Sequence, residues 1–158
     1  MTADELKRLI AEAEQDPKRL AAAVSGVPDD VLKRKPAPGK WSIHEIVGHL
    51  ADAEIIFSYR IRQVLADHDP KFSPIDQDAW AAKLGYGEAA IPELIAQFGV
   101  NRFHNLRLLR RMPLEDLGKS GFHPERNRQV TLEEIIQYWV GHGPKHFGQI
   151  ERLKKGAK

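Results

Sequence analysis

Three segments of the sequence open with the same helix-start signal, a Ser or Thr followed three residues later by a Glu. In such a capping box the Ser or Thr side chain accepts a hydrogen bond from the Glu backbone N–H, and the Glu side chain accepts one from the Ser or Thr backbone N–H. The three boxes are Thr2 with Glu5, Ser42 with Glu45, and Thr131 with Glu134. They predict where three helices begin and favour an all-α fold.

Proline, glycine and the spacing of apolar residues predict where the helices end. The predicted helices run from Thr2 to about Asp16, from Ser42 to about Ala66, from about Ile91 to Arg111, and from Thr131 to about Lys154. Strand-like alternation is almost absent, and we expect residues 112–129 to form a loop with at most one helical turn. Helices joined by such long connections predict a single domain over residues 1–158, a four-helix bundle with long crossover loops.

The composition excludes several kinds of chemistry. The chain has no cysteine, which excludes disulfides, thiolate metal ligands and a cysteine nucleophile. The net charge of +2 gives no general argument for nucleic-acid binding, and no apolar run approaches the ~20 residues of a membrane span. The N-terminus is charged and amphipathic rather than signal-like. We therefore expect a cytoplasmic protein with no membrane and no nucleic-acid partner.

Histidines interrupt the apolar stripes of two predicted helices. His49 lies within the stripe of one helix, and His142 and His146 lie four residues apart on one face of the last helix. Both rings of such a pair point to the same side, and a third ring from a facing helix would complete a His₃ face for a divalent metal. Imidazole suits zinc, nickel, copper and iron alike. Such a site leaves coordination positions open to water or substrate, as in catalytic rather than structural centres.

A simpler interpretation of these histidines is also open. Pairs spaced by four are common on helices, and a single inward histidine is more often a hydrogen-bonded core residue than a ligand. The segment "HEIVGH" resembles a metalloprotease motif, but His44 and His49 are five residues apart, about 140° around a helix. We therefore expect His44 to point outward, and we expect His123 to lie in a solvated loop. The pattern alone leaves both a metal site and a set of core histidines open.

Longer motifs around these histidines resemble a known family. The segment "KWSIHEIVGHLADAE" is similar to the second-helix motif of the DinB-like superfamily, and "GHGPKHFGQIERL" is similar to its C-terminal H-x-x-x-H-x-x-Q-I motif. Two further segments, "SPIDQDAW" and "GFHPERNRQVTLEE", resemble loop signatures of the branch that contains metal-dependent hydrolases and bacillithiol transferases. The resemblance covers about residues 40–153.

The resemblance implies a four-helix bundle of DinB-like type, frequently a homodimer, with an open site for one divalent metal ion on His49, His142 and His146. The ion in relatives is often nickel, zinc or manganese, and the better-understood relatives use it to activate a low-molecular-weight thiol. Pro144, which lies between His142 and His146, departs from the family pattern. Proline has no N–H group, so the helix loses the hydrogen bond to the Val140 carbonyl. We expect the last helix to bend at Pro144 and to keep the site.

We therefore expect a divalent-metal-dependent enzyme that transfers a low-molecular-weight thiol, arriving as a cosubstrate, to a small electrophilic substrate. Two alternatives stay open: hydrolysis by metal-bound hydroxide, and a non-catalytic stress-related binding or dimerisation module. Candidate substrate contacts are Asp76, Trp80, Arg60 and Gln149, with Arg102 as a further carboxylate-binding candidate. Each has a structural alternative: a helix cap for Asp76, lid packing for Trp80, a bond to a ligating side chain for Gln149, and internal ion pairs for the arginines.

Overall fold

Each predicted capping box opens a helix in the computed structural model, which describes residues 1–156. The helices are α1 (Ala3–Ala13), α2 (Asp16–Val24), α3 (Asp29–Lys33), α4 (Ile43–Ala66), α5 (Gln77–Lys83), α6 (Ile91–Leu109) and α7 (Leu132–Lys155). Short 3₁₀ turns occupy Leu114–Gly118 and Pro124–Arg126. The predicted ends of α4, α6 and α7 are correct to within two residues, because capping and proline signals are local, whereas α1 ends at Ala13 rather than at about Asp16.

The bundle has four helical members. The consecutive helices α1 and α2 together form one member, and α4, α6 and α7 are the other three. Helix α4 packs against both α6 and α7. The predicted all-α four-helix bundle is confirmed. No helix within residues 1–156 combines the length and apolarity that crossing a membrane requires.

The predicted loop between α6 and α7 contains a β-hairpin that sequence patterning missed. Strand β1 (Ser120–His123) pairs antiparallel with β2 (Arg128–Thr131), in a register that sets Gly121 opposite Val130. The connection ends at Asn127, whose φ of 48° is left-handed, a conformation that Asn tolerates. The hairpin is anchored to the α4–α5 connection, since the Phe122 N–H donates to the Pro70 carbonyl at 2.8 Å. Strands of four residues are too short to show a period of two, so this part of the prediction was wrong.

A buried ion network joins helices α2, α4, α6 and α7. Arg102 of α6 donates to Asp16 of α2 at 2.6 Å and to Glu54 of α4 at 2.6 Å, and Trp139 Nε1–H of α7 donates to the same Glu54 oxygen at 2.8 Å. All four side chains are almost completely buried. Burial raises the pKa of Asp16 and of Glu54, an effect that Arg102 opposes but does not cancel. The network fixes the relative positions of the helices that carry the histidines.

Candidate metal centre

Three histidines converge between α4 and α7. His49 comes from α4, and His142 and His146 come from consecutive turns of α7. Each offers one ring nitrogen, and the three nitrogens lie within 4.8 Å of one another. The bundle therefore brings together at one point the three histidines selected from the sequence.

The spacing of the two closest rings suits a shared divalent ion. The Nε2 atoms of His49 and His142 are 3.3 Å apart. Two nitrogens bound at about 2.0–2.1 Å to one tetrahedral ion would be about 3.3–3.4 Å apart. The same separation also permits one N–H···N hydrogen bond between the two rings. The residues present therefore fit a divalent ion without rearrangement of these two rings.

Burial keeps the three rings unprotonated. Burial, followed by repulsion from His146, lowers the pKa of His49 to about 4. Burial, followed by repulsion from His146 and His49, lowers the pKa of His142 to about 3. Burial also lowers the pKa of His146, although its hydrogen bond to Gln149 acts in the opposite direction. At neutral pH each ring is neutral and carries a lone pair that can bind a metal ion.

Two neighbouring side chains orient these rings. The Gln149 Oε1 atom accepts a hydrogen bond from His146 Nδ1 at 3.0 Å, which leaves the lone pair of that ring on Nε2. The ring of Trp41, in the connection before α4, packs 4.7 Å from the ring of His49. Gln149 and Trp41 therefore hold the ligand candidates from two sides.

Helix α7 is continuous through the residues that weaken helices. It runs from Leu132 to Lys155 with Pro144 in its interior, so both of its histidines stay on one helix face. Close packing favours glycine at position 143, because a Cβ atom there would lie 3.2 Å from Asp16 Oδ2, closer than ordinary van der Waals contact. The glycine lets α2 approach α7 next to the histidines. The bend expected at Pro144 stays a prediction.

A cavity of about 320 Å³ extends from the histidines towards the β-hairpin. We call it the helix–hairpin cavity. Aromatic and aliphatic side chains form most of its wall, and polar groups occur at both ends. Its lining includes His49, Asp52, Phe57, Arg60, Phe72, Trp80, Tyr86, His123, Arg126, Tyr138 and His142. This volume lies at the lower end of the range for small-molecule sites, about 300–1,000 Å³.

A second cavity, also about 320 Å³, reaches the histidines from another direction. We call it the α7 cavity. Its lining is more polar and includes Lys40, Trp41, Gln77, Asp78, Tyr138, His142, Lys145, His146 and Gln149. His142, Tyr138 and Gln77 line both cavities, so the two meet at the histidine cluster.

The substrate contacts selected from the sequence separate into three groups. Trp80 and Arg60 line the helix–hairpin cavity. Gln149 lines the α7 cavity and also bonds His146. Asp76 caps α5, where its side chain accepts the Ala79 N–H at 2.9 Å, and it is absent from the lining of both cavities. The geometry therefore favours the structural alternative for Asp76.

For Arg102 the structure favours the internal ion pair that was the alternative to a substrate contact, because its side chain is enclosed in the ion network and reaches neither cavity. Two sequence-based expectations about single residues are wrong. His44 is only 4% exposed, with its Nε2 atom 2.8 Å from the Ala89 carbonyl, because the connection before α6 covers this end of α4. His123 is 8% exposed and lies in β1 rather than in a solvated loop. The periodicity of a helix does not predict which of its residues a loop will cover in the folded chain.

The sequence also failed to indicate two residues of the helix–hairpin cavity. Arg126 lies in the hairpin connection, where no periodic pattern predicts the direction of a side chain. Tyr86 follows α5 and donates its hydroxyl hydrogen bond to Asp52 at 2.8 Å. Its ring packs against Gly48, which explains a glycine beside His49. Only the packing of these loops against α4 and α7 brings them to the cavity.

Comparison with known proteins places this site in a family. The model of the DinB superfamily matches residues 12–150. A Bacillus subtilis protein with the name "Putative metal-dependent hydrolase YfiT" is 26% identical over 144 residues, covering 90% of this chain and 80% of that protein. A "Putative metal-dependent hydrolase" from Geobacillus thermodenitrificans is 29% identical over 160 residues, covering 97% and 86%.

Two solved structures share the fold. The structure of B. subtilis YfiT, described as having an unusual four-helix bundle topology, superimposes with a TM-score of 0.93 at 24% identity, covering 99% of this chain and 90% of that one. A crystal structure from Streptococcus pneumoniae superimposes with a TM-score of 0.76 at 14% identity, covering 98% and 93%. Since the family match spans most of the chain and includes all three histidines, this protein belongs to the DinB superfamily.

Proposed function

We propose that this protein is a divalent-metal-dependent enzyme that transfers a low-molecular-weight thiol to a small electrophilic substrate. The observation that carries the proposal is the cluster of three neutral imidazoles at the meeting point of two cavities. His49, His142 and His146 would hold one ion, with nickel, zinc and manganese as the candidates. When bound, such an ion acts as a Lewis acid that lowers the pKa of a thiol or water ligand.

The two cavities support a reaction between two substrates. A transfer needs both reactants at one point, and His142, Tyr138 and Gln77 line both cavities. The aromatic wall of the helix–hairpin cavity suits an apolar electrophile. The α7 cavity, with Lys40 and Lys145 in its wall, suits a polar thiol. The chain has no cysteine, so the thiol must come from solution.

The residues of the site have distinct parts in this reaction. Gln149 keeps the His146 lone pair on Nε2 by accepting the Nδ1–H bond. Phe57 and Trp80 in the helix–hairpin cavity exclude water from the electrophile. In the transfer the thiol releases its proton to solvent, and its sulfur forms a bond to the electrophilic carbon while the bond from that carbon to the leaving group breaks; the leaving group keeps the bonding electrons. Holding both reactants in this geometry removes much of the entropic barrier.

Hydrolysis is the second candidate function. It is supported by the names of the relatives, which describe metal-dependent hydrolases. Water would then take the place of the thiol, and the α7 cavity would have no reactant to hold. Product masses distinguish the two reactions, because transfer replaces the leaving group by the thiol sulfur and hydrolysis replaces it by a hydroxyl group.

The test starts with elemental analysis of untagged protein, because a His tag would bind metal itself. We expect about one divalent transition metal ion per chain, and loss of that ion in the His142→Ala variant. His104→Ala is the matched control, because His104 is an exposed histidine of α6. The loaded protein is then incubated with reactive electrophiles and several thiols. Failure to bind nickel, zinc or manganese after reconstitution would refute the enzyme proposal.

A further inference from the structure

The two ends of the helix–hairpin cavity differ in chemistry. One end is formed by His49 and His142, and the other carries Arg60 of α4 and Arg126 of the hairpin. His49 and Arg60 are eleven residues apart on α4, a rise of about 16 Å. Between the ends, the wall includes the aromatic rings of Phe57 and Phe72. The cavity therefore joins the arginines to the histidines, and Tyr138 is close to both: its ring centre is 5.9 Å from that of His142 and 5.4 Å from Arg126 Cζ.

Both arginines are held in place without a direct ion-pair partner in the described part of the chain. The Arg60 guanidinium donates one hydrogen bond to the Ser73 carbonyl at 3.2 Å and lies 5.3 Å from the centre of the Phe72 ring. Arg126 lies 5.4 Å from the centre of the Tyr138 ring. Within residues 1–156 neither arginine has an acidic partner closer than 4.0 Å. Aromatic faces orient a guanidinium but leave its N–H groups available to a ligand.

Three acidic side chains also line this cavity, and two of them are engaged elsewhere. Asp52 accepts a hydrogen bond from the Tyr86 hydroxyl at 2.8 Å, and Glu134 pairs with Arg128 at 2.7 Å. Glu125 is half exposed and makes only a 4.0 Å contact, with His123 Nδ1. Two arginines offset in part by Glu125 leave a net charge near +1 at this end, which matches a monoanion better than a dianion.

His123 lies at the same end and adds no charge to it. It is 8% exposed, and its Nδ1 atom has no hydrogen-bond partner within residues 1–156. Burial, followed by the charges of Arg60 and Arg126, lowers its pKa. The ring is therefore neutral and adds no charge to that of the two arginines.

We propose that Arg60 and Arg126 form a subsite for a carboxylate at the far end of the substrate from the reacting atom. The inference rests on the proposed function, because it takes the histidine end as the reacting end. Planar guanidinium groups bind a carboxylate through two parallel hydrogen bonds, whereas the apolar wall between the ends accepts a hydrocarbon body. The substrate class is thus an amphipathic monocarboxylate whose electrophilic atom lies at the opposite end.

The test uses the full chain after metal removal, so that a carboxylate cannot bind to an ion at the histidines. Three probes share one apolar body: 4-phenylbutanoate, its neutral amide, and 4-phenylbutylamine as the cationic analogue. Dissociation constants come from amide shifts in ¹H–¹⁵N NMR spectra. We expect the carboxylate to bind at least tenfold more tightly than the amide, and the amine to bind most weakly.

Arg60→Gln and Arg126→Gln should each remove most of this preference. Arg62→Gln is the matched control, because Arg62 lies on the same helix but donates to Ser58 and Asn105 and does not line the cavity. Arg126 is exposed in a connection, so its replacement tests the subsite even if Arg60→Gln fails to fold. Equal binding of the three probes, tighter binding of the amine, or the same loss in Arg62→Gln would overturn the inference.

The outcome of this binding experiment can be separated from the outcome of the test of the proposed enzyme function. A carboxylate preference in metal-free protein and in His142→Ala would support the subsite even if elemental analysis found no bound metal. A bound metal ion without any carboxylate preference would remove the subsite and leave the proposed enzyme standing.

Discussion

Replacing Arg102 by Met would remove the only cation within 4.0 Å of Glu54 in residues 1–156. Arg102 also bonds Asp16 at 2.6 Å, and both its own side chain and those of the two acids are about 1% exposed. Methionine keeps a flexible apolar chain against the ring of Trp139, over which the guanidinium now lies at 4.5 Å. The change therefore removes the charge with little loss of packing.

The expected cost is large because two buried carboxylates lose a counter-ion. Removing one partner of a buried ion pair typically costs about 3–5 kcal/mol of unfolding free energy. For a chain of this length, each kcal/mol lowers the melting temperature by roughly 2–4 °C. We therefore expect the melting temperature of Arg102→Met to fall by about 6–20 °C.

The pH dependence has a definite sign. Burial already raises the pKa of Asp16 and Glu54, and the loss of Arg102 would raise both further. Above pH 4.5, the ordinary value for Glu, the unfolded chain releases protons that the folded variant still holds. The stability of the variant therefore falls as the pH rises through the folded-state pKa values. We expect a smaller deficit at about pH 5 than at about pH 8.

The measurement is guanidinium unfolding of metal-free protein at both pH values. Arg110→Met is the matched control, since Arg110 follows α6 and pairs with Glu14 on the surface, at 2.9 Å. We expect the control to lose less than about 1 kcal/mol, because exposed ion pairs contribute little. A loss below 1 kcal/mol in Arg102→Met, or a deficit that shrinks towards pH 8, would refute the assigned role of the network.

Three further predictions concern the site and its surroundings. Gln149→Leu should weaken zinc affinity by about 10- to 100-fold, measured by competition with a chelator, because His146 loses its orienting partner. Gly48→Ala should cost about 1–3 kcal/mol in thermal unfolding, since the new Cβ would lie 2.5 Å from Tyr86 Cγ. We predict a homodimer from the family resemblance, and we expect light scattering to report a smaller mass for Phe103→Glu, because Phe103 and Val100 are 56% and 57% exposed apolar side chains one turn apart on α6.

The sequence by itself determined where the three capped helices begin and which three histidines face inward. Capping residues, proline and apolar spacing act over a few residues, so the starts at Ser42 and Thr131 were predictable. His142 and His146 share a face because helix geometry alone sets the direction of residues four apart. The place of His49 within an apolar stripe indicated that it points towards the interior, where the structure also puts it.

Only the tertiary structure decided which polar residues reach the cavities. Arg102 and Arg60 are both arginines within apolar stripes, yet one is enclosed between Asp16 and Glu54 and the other lines the helix–hairpin cavity. Their difference depends on which helix faces each of them, information that a single helix does not contain. The hairpin that carries Arg126 was missed for a similar reason. Its two strands are neighbours in the sequence, but they are stabilised by long-range backbone hydrogen bonds between Phe122 and the segment at Pro70 and Phe72, which the local pattern does not contain.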